Sequence, residues 1–130
     1  MARILLADDD AGYLAAFCDG MAACGHEATG VTTGDQALTC LDSMAFDIVF
    51  LDVLMPGGGA ISLTHAIRER HPALPIVVIT GRPELASSPL LQKGLRYACA
   101  KIGKTATLEE LDALVRHHAR PGRREVSARS

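Results

Sequence analysis

Ile4-Leu5-Leu6-Ala7-Asp8-Asp9-Asp10 and Asp47-Ile48-Val49-Phe50-Leu51-Asp52 decide how this chain folds. Each is a short apolar run that ends in acid. A run of this length without polar alternation reads as a strand buried on both faces, the composition of a parallel sheet covered by helices. In open α/β sheets, sites form just beyond the carboxyl ends of the strands. The two runs therefore bring Asp8, Asp9 and Asp52 towards one edge. Carboxylates gathered in this way repel. At an effective dielectric of about 20, each pair about 4 Å apart costs roughly 4 kcal/mol. A hard divalent cation held by oxygen is the natural offset.

Outward from these runs, strands alternate with helices. Residues 3–8 read as the first strand. Residues 11–24 read as a helix with Leu14, Phe17, Cys18, Met21 and Ala22 on one face, closed by Gly25. Residues 27–31 alternate as a short strand near an edge. Thr33 and Gln36 fit a capping box that opens a helix to about Ser43. The third strand is 47–52, followed by a flexible Pro56-Gly57-Gly58-Gly59 loop and a helix over about 60–70, stopped by His71-Pro72. Residues 75–80 form the most β-branched strand. Pro83 and Pro89 interrupt the next stretch, and Ser88-Pro89 opens a short helix at 89–93. Residues 97–101 read as the fifth strand. Thr107 and Glu110 make a second capping box, opening a helix to about His118. The expected architecture is a (βα)5 doubly wound, five-stranded parallel sheet with helices on both faces, because parallel strands require crossovers.

Composition fits one domain over residues 1–119. The chain has 130 residues, is 48% hydrophobic and carries two Tyr, three Phe and no Trp, so its core is aliphatic. That length buries a core without staples. A net charge of −2 gives no reason to expect a nucleic-acid or membrane binder. Cys18, Cys24, Cys40 and Cys99 lack metal-ligand spacing and read as buried free thiols of a reducing compartment. No leader and no spanning apolar run are read, so a cytoplasmic location is expected. From Arg120 the pattern dissolves, and 120–130 read as a basic, disordered tail or linker.

Taken together, the acids after the first strand, Leu51-Asp52-Val53-Leu54-Met55-Pro56-Gly57, Val78-Ile79-Thr80-Gly81 and Lys101 resemble the receiver domain of two-component response regulators. The resemblance spans about residues 2–119. It implies Asp52 as phosphoacceptor. It implies Mg²⁺ (or Mn²⁺) held by Asp8, Asp9, Asp52 and the backbone carbonyl of Leu54. Thr80 would bond the phosphoryl group and Lys101 would pair with it. A sensor histidine kinase or histidine phosphotransfer protein would be the donor, a downstream protein the target, and a homodimer one way to act. The chemistry is coherent with the residues. Phosphoryl transfer depends on positioning and charge neutralisation, and a carboxylate is a competent nucleophile. Asp10 reads as the N-cap of the first helix. The five histidines show no ligand spacing.

Four departures from the family stand out. Lys101 is followed by Ile102-Gly103 where receivers have proline, so a trans bond is expected. The family's switch aromatic, three residues before its lysine, is Ala98, with Tyr97 beside it on the opposite strand face. Pro89 shortens the fourth helix. Leu54 and Arg82 occupy the places, two past Asp52 and two past Thr80, that govern water attack on the phosphate. The alternatives are a phosphorylation-independent pseudo-receiver and a small aspartate-nucleophile phosphatase of the haloacid dehalogenase type. Asp8-x-Asp10 mimics that phosphatase's first motif, but no acidic pair follows Lys101 to bind its metal.

Overall fold

Apolar runs such as 4–7 and 48–51 leave no side chain for water, and the fold covers them from both sides. The computed structural model describes residues 1–54, 59–82 and 88–119. Within them lie strands β1 (Arg3–Ala7), β2 (Glu27–Val31), β3 (Ile48–Asp52), β4 (Ile76–Thr80) and β5 (Ala100–Gly103). They alternate with helices α1 (Ala11–Ala23), α2 (Gly34–Ser43), α3 (Gly59–Arg70), α4 (Pro89–Gly94) and α5 (Leu108–His118). Every pairing is parallel, and the strand order is β2-β1-β3-β4-β5. This is the doubly wound sheet expected from the sequence.

Alternate residues of each strand feed two separate cores. Leu5, Ala7, Val49, Leu51, Ile76 and Val78 pack with Ala37 and Leu41 of α2 and Leu63 and Ile67 of α3. Ile4, Leu6, Ile48, Phe50, Val77 and Ile79 pack with Phe17 and Met21 of α1 and Leu111 and Val115 of α5. All positions of β3 and β4 are buried, which is why neither strand shows polar alternation.

Helix ends follow their local chemistry. Thr33 caps α2 through Gln36 N–H at 3.1 Å, and Thr107 and Glu110 form the reciprocal box at α5. Gly25, at φ 89°, closes α1. Its N–H donates to Ala22 O at 3.0 Å and that of His26 to Met21 O at 2.9 Å, the pairing of a Schellman cap. His26 then pins the chain start to α5. Its Nδ1 accepts from Ala2 N–H at 3.0 Å, so Nε2 carries the proton and donates to Asp112 at 2.7 Å. Pro89 takes the first turn of α4, where its missing N–H costs nothing. A Cβ on Gly94 would lie 2.5 Å from Ile61 Cδ1, so any larger residue there would force the Ile61 side chain to shift.

One strand differs from expectation. β5 begins at Ala100, not at residue 97. Residues 95–97 form a turn closed by Ala98 N–H on Leu95 O at 3.0 Å. Tyr97 lies before the strand, where two cations contact it. The Arg96 guanidinium stacks 4.9 Å from its ring, and Arg68 of α3 bonds its carbonyl at 3.3 Å. Among the thiols, Cys18, Cys24 and Cys40 are half-buried, while Cys99 is exposed rather than buried. The expectations for Pro56–Gly58, Pro83 and 120–130 fall outside the described residues.

Phe50 sits fully buried in β3 with its ring 5.1 Å from that of Phe17. Phe50→Ala is expected to cost about 3–5 kcal/mol, read as a lower urea midpoint at an unchanged slope. A loss below about 1 kcal/mol would contradict this packing.

Candidate functional site

Register places the acids. Ala7 pairs with Leu51 across β1 and β3, so the next residue of each strand, Asp8 and Asp52, meet at the carboxyl edge. This is the point where the strand order reverses, the usual position of a site in such a sheet. Asp8 is fully buried and Asp52 is 4% exposed, while Asp9 is exposed. One carboxylate oxygen from each of the three lies within 4.8 Å of the others. Among the described residues no other group of three potential metal ligands is so close.

Backbone amides hold the buried carboxylates. Asp8 Oδ1 accepts from Asp10 N–H at 2.9 Å, and Asp10 in turn caps α1 by accepting from Tyr13 N–H at 3.1 Å. Asp52 Oδ1 accepts from Leu54 N–H at 3.3 Å. Asp8 Oδ2 is buried and receives no well-directed hydrogen bond. Its neighbour is an ammonium group at 2.7 Å, that of Lys104, which also stands 3.6 Å from Asp52 Oδ2.

That contact corrects the sequence reading, which put Lys101 in this place. Lys101 pairs with Val78 in mid-strand, two residues short of the β4 end, and its side chain is exposed. Gly103 is the partner of Thr80, so the following residue, Lys104, is the one that clears the edge, its N–H bonded to Thr80 O at 2.8 Å. The available signal was the spacing from Lys104 to the N-cap Thr107, which leaves just a turn between site and helix. The family's proline position is therefore Thr105, and its switch position, three before the lysine, is Lys101 rather than Ala98. No cis bond occurs among the described residues.

Thr80 is buried at the end of β4, one residue beyond Ile79, the partner of Asp52. Its hydroxyl accepts from Arg82 N–H at 2.9 Å. Leu54 contributes an amide to Asp52, and its side chain is 52% exposed. Sequence reading also missed Tyr13 of α1, whose ring lies 5.0 Å from the Lys104 ammonium.

The electrostatics are those of an overcrowded acid pocket. Burial, then the charge of Asp8, pushes Asp52 up to about 6, against the pull of the Leu54 amide and Lys104. Burial opposes charge on Lys104, but Asp8 and Asp52 outweigh it and raise the lysine. Burial, with Asp8, raises Tyr13. Three carboxylates facing one ammonium leave net negative charge, and one buried oxygen lacks a directed donor. This donor set fits a hard divalent cation.

The model of the response regulator receiver domain matches residues 4–116. The chain belongs to this receiver family. Receiver domains of two-component response regulators are signalling modules rather than enzymes. This receiver is 33% identical to the response regulator protein FleR of Pseudomonas aeruginosa over 120 residues, 91% of the chain and 24% of FleR. It is 29% identical to the DNA-binding transcriptional regulator NtrC of Salmonella typhimurium over 113 residues, 86% of the chain and 24% of NtrC. It thus spans about a quarter of the length of these curated relatives. Among solved structures, response regulator TrrA from Thermotoga maritima in complex with Mg²⁺-BeF superposes with a TM-score of 0.80. The two are 25% identical, with 90% of this chain and 98% of that chain covered. A Francisella receiver domain shares the fold at 23% identity and a TM-score of 0.79, covering 90% and 95%. Among the described residues no helix is long and apolar enough to cross a membrane.

The raised Asp52 carboxyl has a consequence for stability. A folded value near 6 exceeds an unfolded value near 4, so between those pH values the folded state holds a proton that the unfolded state has released. Metal-free protein therefore loses stability as pH rises from about 4 to 6, and the penalty is complete above that. Asp52→Asn is expected to raise metal-free stability at pH 7.5 by about 1–3 kcal/mol, with the gain shrinking towards pH 4. Added Mg²⁺ narrows the gap. Denaturant melts of both proteins across this range check it, and a gain independent of pH would contradict the assigned cause.

Proposed function

We propose that this receiver is a phosphoacceptor in a two-component phosphorelay, phosphorylated on Asp52 in a Mg²⁺-dependent reaction and thereby switching a partner-binding surface. The supporting observation is the pairing of Lys104 with Asp8 and Asp52 beside Asp9, three carboxylates and one ammonium at a sheet edge. In this reading residues 1–119 are the receiver unit and 120–130 a tail or linker.

Each residue has a task. Asp8, Asp9, Asp52 and the Leu54 carbonyl would hold Mg²⁺ (or Mn²⁺). The bound ion would offset the negative charge of donor and acceptor. Asp52 attacks the phosphorus of a phosphohistidine on a sensor histidine kinase or phosphotransfer protein. An O–P bond forms as the N–P bond breaks, and the departing imidazole keeps the electron pair. Lys104 moves from Asp8 and Asp52 to the transferred phosphoryl oxygens, stabilising charge where it accumulates. The product adds about 1.5–2 negative charges next to buried Asp8. Thr80 answers by turning its hydroxyl proton from the Arg82 carbonyl to a phosphoryl oxygen. That exchange shifts an existing equilibrium between two shapes of the β4–α4–β5 side. The downstream target is a protein. A location in the cytoplasm, with the donor, follows from the same reading.

Acetyl phosphate with Mg²⁺ should add the mass of one phosphate to the wild type, and none to Asp52→Asn or in the presence of chelator. Lys104→Ala should lose most of the reaction and Lys101→Ala should keep it. No mass gain on wild type, even with a cognate kinase, would favour a phosphorylation-independent interaction module.

Leu54 gives the phosphate a second property. Its exposed apolar side chain offers no hydrogen bond to an attacking water. The purified phosphoprotein should therefore lose phosphate slowly, and Leu54→Asn should hasten the loss. Release from wild type within seconds would refute the assignment.

A further inference from the structure

Lysine carries four rotatable side-chain bonds, and ordering it has an entropic cost. Its backbone here is tied to β4 through Thr80 O, but that leaves the ammonium free to swing. Asp8 draws it in at 2.7 Å, though without a well-directed bond. A second restraint comes from α1. The Tyr13 ring stands 5.0 Å from the ammonium, within the reach of a cation–π contact.

That ring is itself fixed. Tyr13 packs on Phe17 at 6.1 Å between centroids, and Phe17 packs edge-on against Phe50 at 5.1 Å. Phe50 is fully buried in β3, two residues before Asp52. From the other side, Asp10 holds the Tyr13 amide and Asp8 holds the Asp10 amide. The ring is therefore a wall anchored both to the core and to the acid pocket. Its hydroxyl is buried and has no hydrogen-bond partner among the described residues. The working part of the side chain is accordingly the ring face, not the oxygen.

The geometry points to Tyr13 as a positioning residue for Lys104, an aromatic wall that holds the ammonium over Asp8 and Asp52 ready for the incoming phosphoryl group. Tyr13 acts through the lysine and needs no contact of its own with phosphate. This assignment rests on the phosphoacceptor reading above for its kinetic consequence, but not for the contact itself.

Two measurements separate those levels. The first needs no phosphodonor. The protons on Lys104 Cε should resonate upfield in wild type and in Tyr13→Phe, from the ring current, and return to ordinary lysine positions in Tyr13→Leu. Unmoved shifts in Tyr13→Leu overturn the contact. The second is a double-mutant cycle on the rate of phosphorylation by acetyl phosphate with Mg²⁺. Tyr13→Leu should slow the wild-type reaction about two- to tenfold, Tyr13→Phe should restore it, and Tyr13→Leu should add no further loss in Lys104→Ala. Equal slowing in both backgrounds would show a general packing role and overturn the proposal. So would a Tyr13→Phe defect as large as that of Tyr13→Leu. Should wild type take no phosphate, the phosphoacceptor reading fails, while the ring-current result still decides the contact.

Discussion

Repulsion between Asp8 and Asp52 is the constraint around which the rest is arranged. The two acids cannot move apart, because the register that opposes them is fixed by the core. Ile4, Leu6, Ile48 and Phe50 belong to the α1/α5 side, and Leu5, Ala7, Val49 and Leu51 to the α2/α3 side. A slip of one residue would exchange the two sets between cores of different shape. The edge loops then supply what the strands lack: the Asp10 amide, the Leu54 amide and the Lys104 ammonium. These partners reduce the repulsion without removing it: burial first, and then the charge of Asp8, still raise the Asp52 carboxyl. On the proposed reading, a site that is to accept a cation and a phosphoryl group has to be left incomplete, and local stability is given up there.

Much of this was legible because it depends on near neighbours in sequence. Apolar runs ending in acid gave the strands and placed Asp8, Asp9 and Asp52. The pairs Thr33–Gln36 and Thr107–Glu110 announced two helix starts, and Asp10 was readable as a cap because its partner is just three residues away. The lysine was not legible in the same way. Whether Lys101 or Lys104 reaches the acids depends on where β5 begins. That in turn follows from pairing with β4, which begins where Cys99 N–H meets Ile76 O, after a turn whose Tyr97 carbonyl is held by Arg68 across 29 residues. With Tyr97 read as strand, the edge arrives three residues early. Tyr13 escaped notice for another reason. Its place one turn before Phe17 reads as ordinary helix core, and only the position of Lys104 gives it a second neighbour.

The two sides of the sheet carry different loads. On the α1/α5 side, aromatic rings run from Phe50 through Phe17 and Tyr13 to the ammonium of Lys104, joining the deepest strand to the site. At the opposite end of the same side, His26 joins the start of β1 to α5. That face is thus pinned at both ends. The other side holds α4, just six residues long, and the turn that delays β5. Under the proposed switch, movement beginning at Thr80 would meet less resistance there, since short helices have few contacts to break.

Lys101, left out of the pocket, has a place of its own. β5 is one of the two edge strands and, among the described residues, pairs with β4 alone. An edge strand is a template for a strand from another molecule unless something blunts it. A charged side chain in the middle of its four residues opposes that, because an incoming strand would have to desolvate it. A lysine exposed on an edge strand and outside the pocket works against such growth.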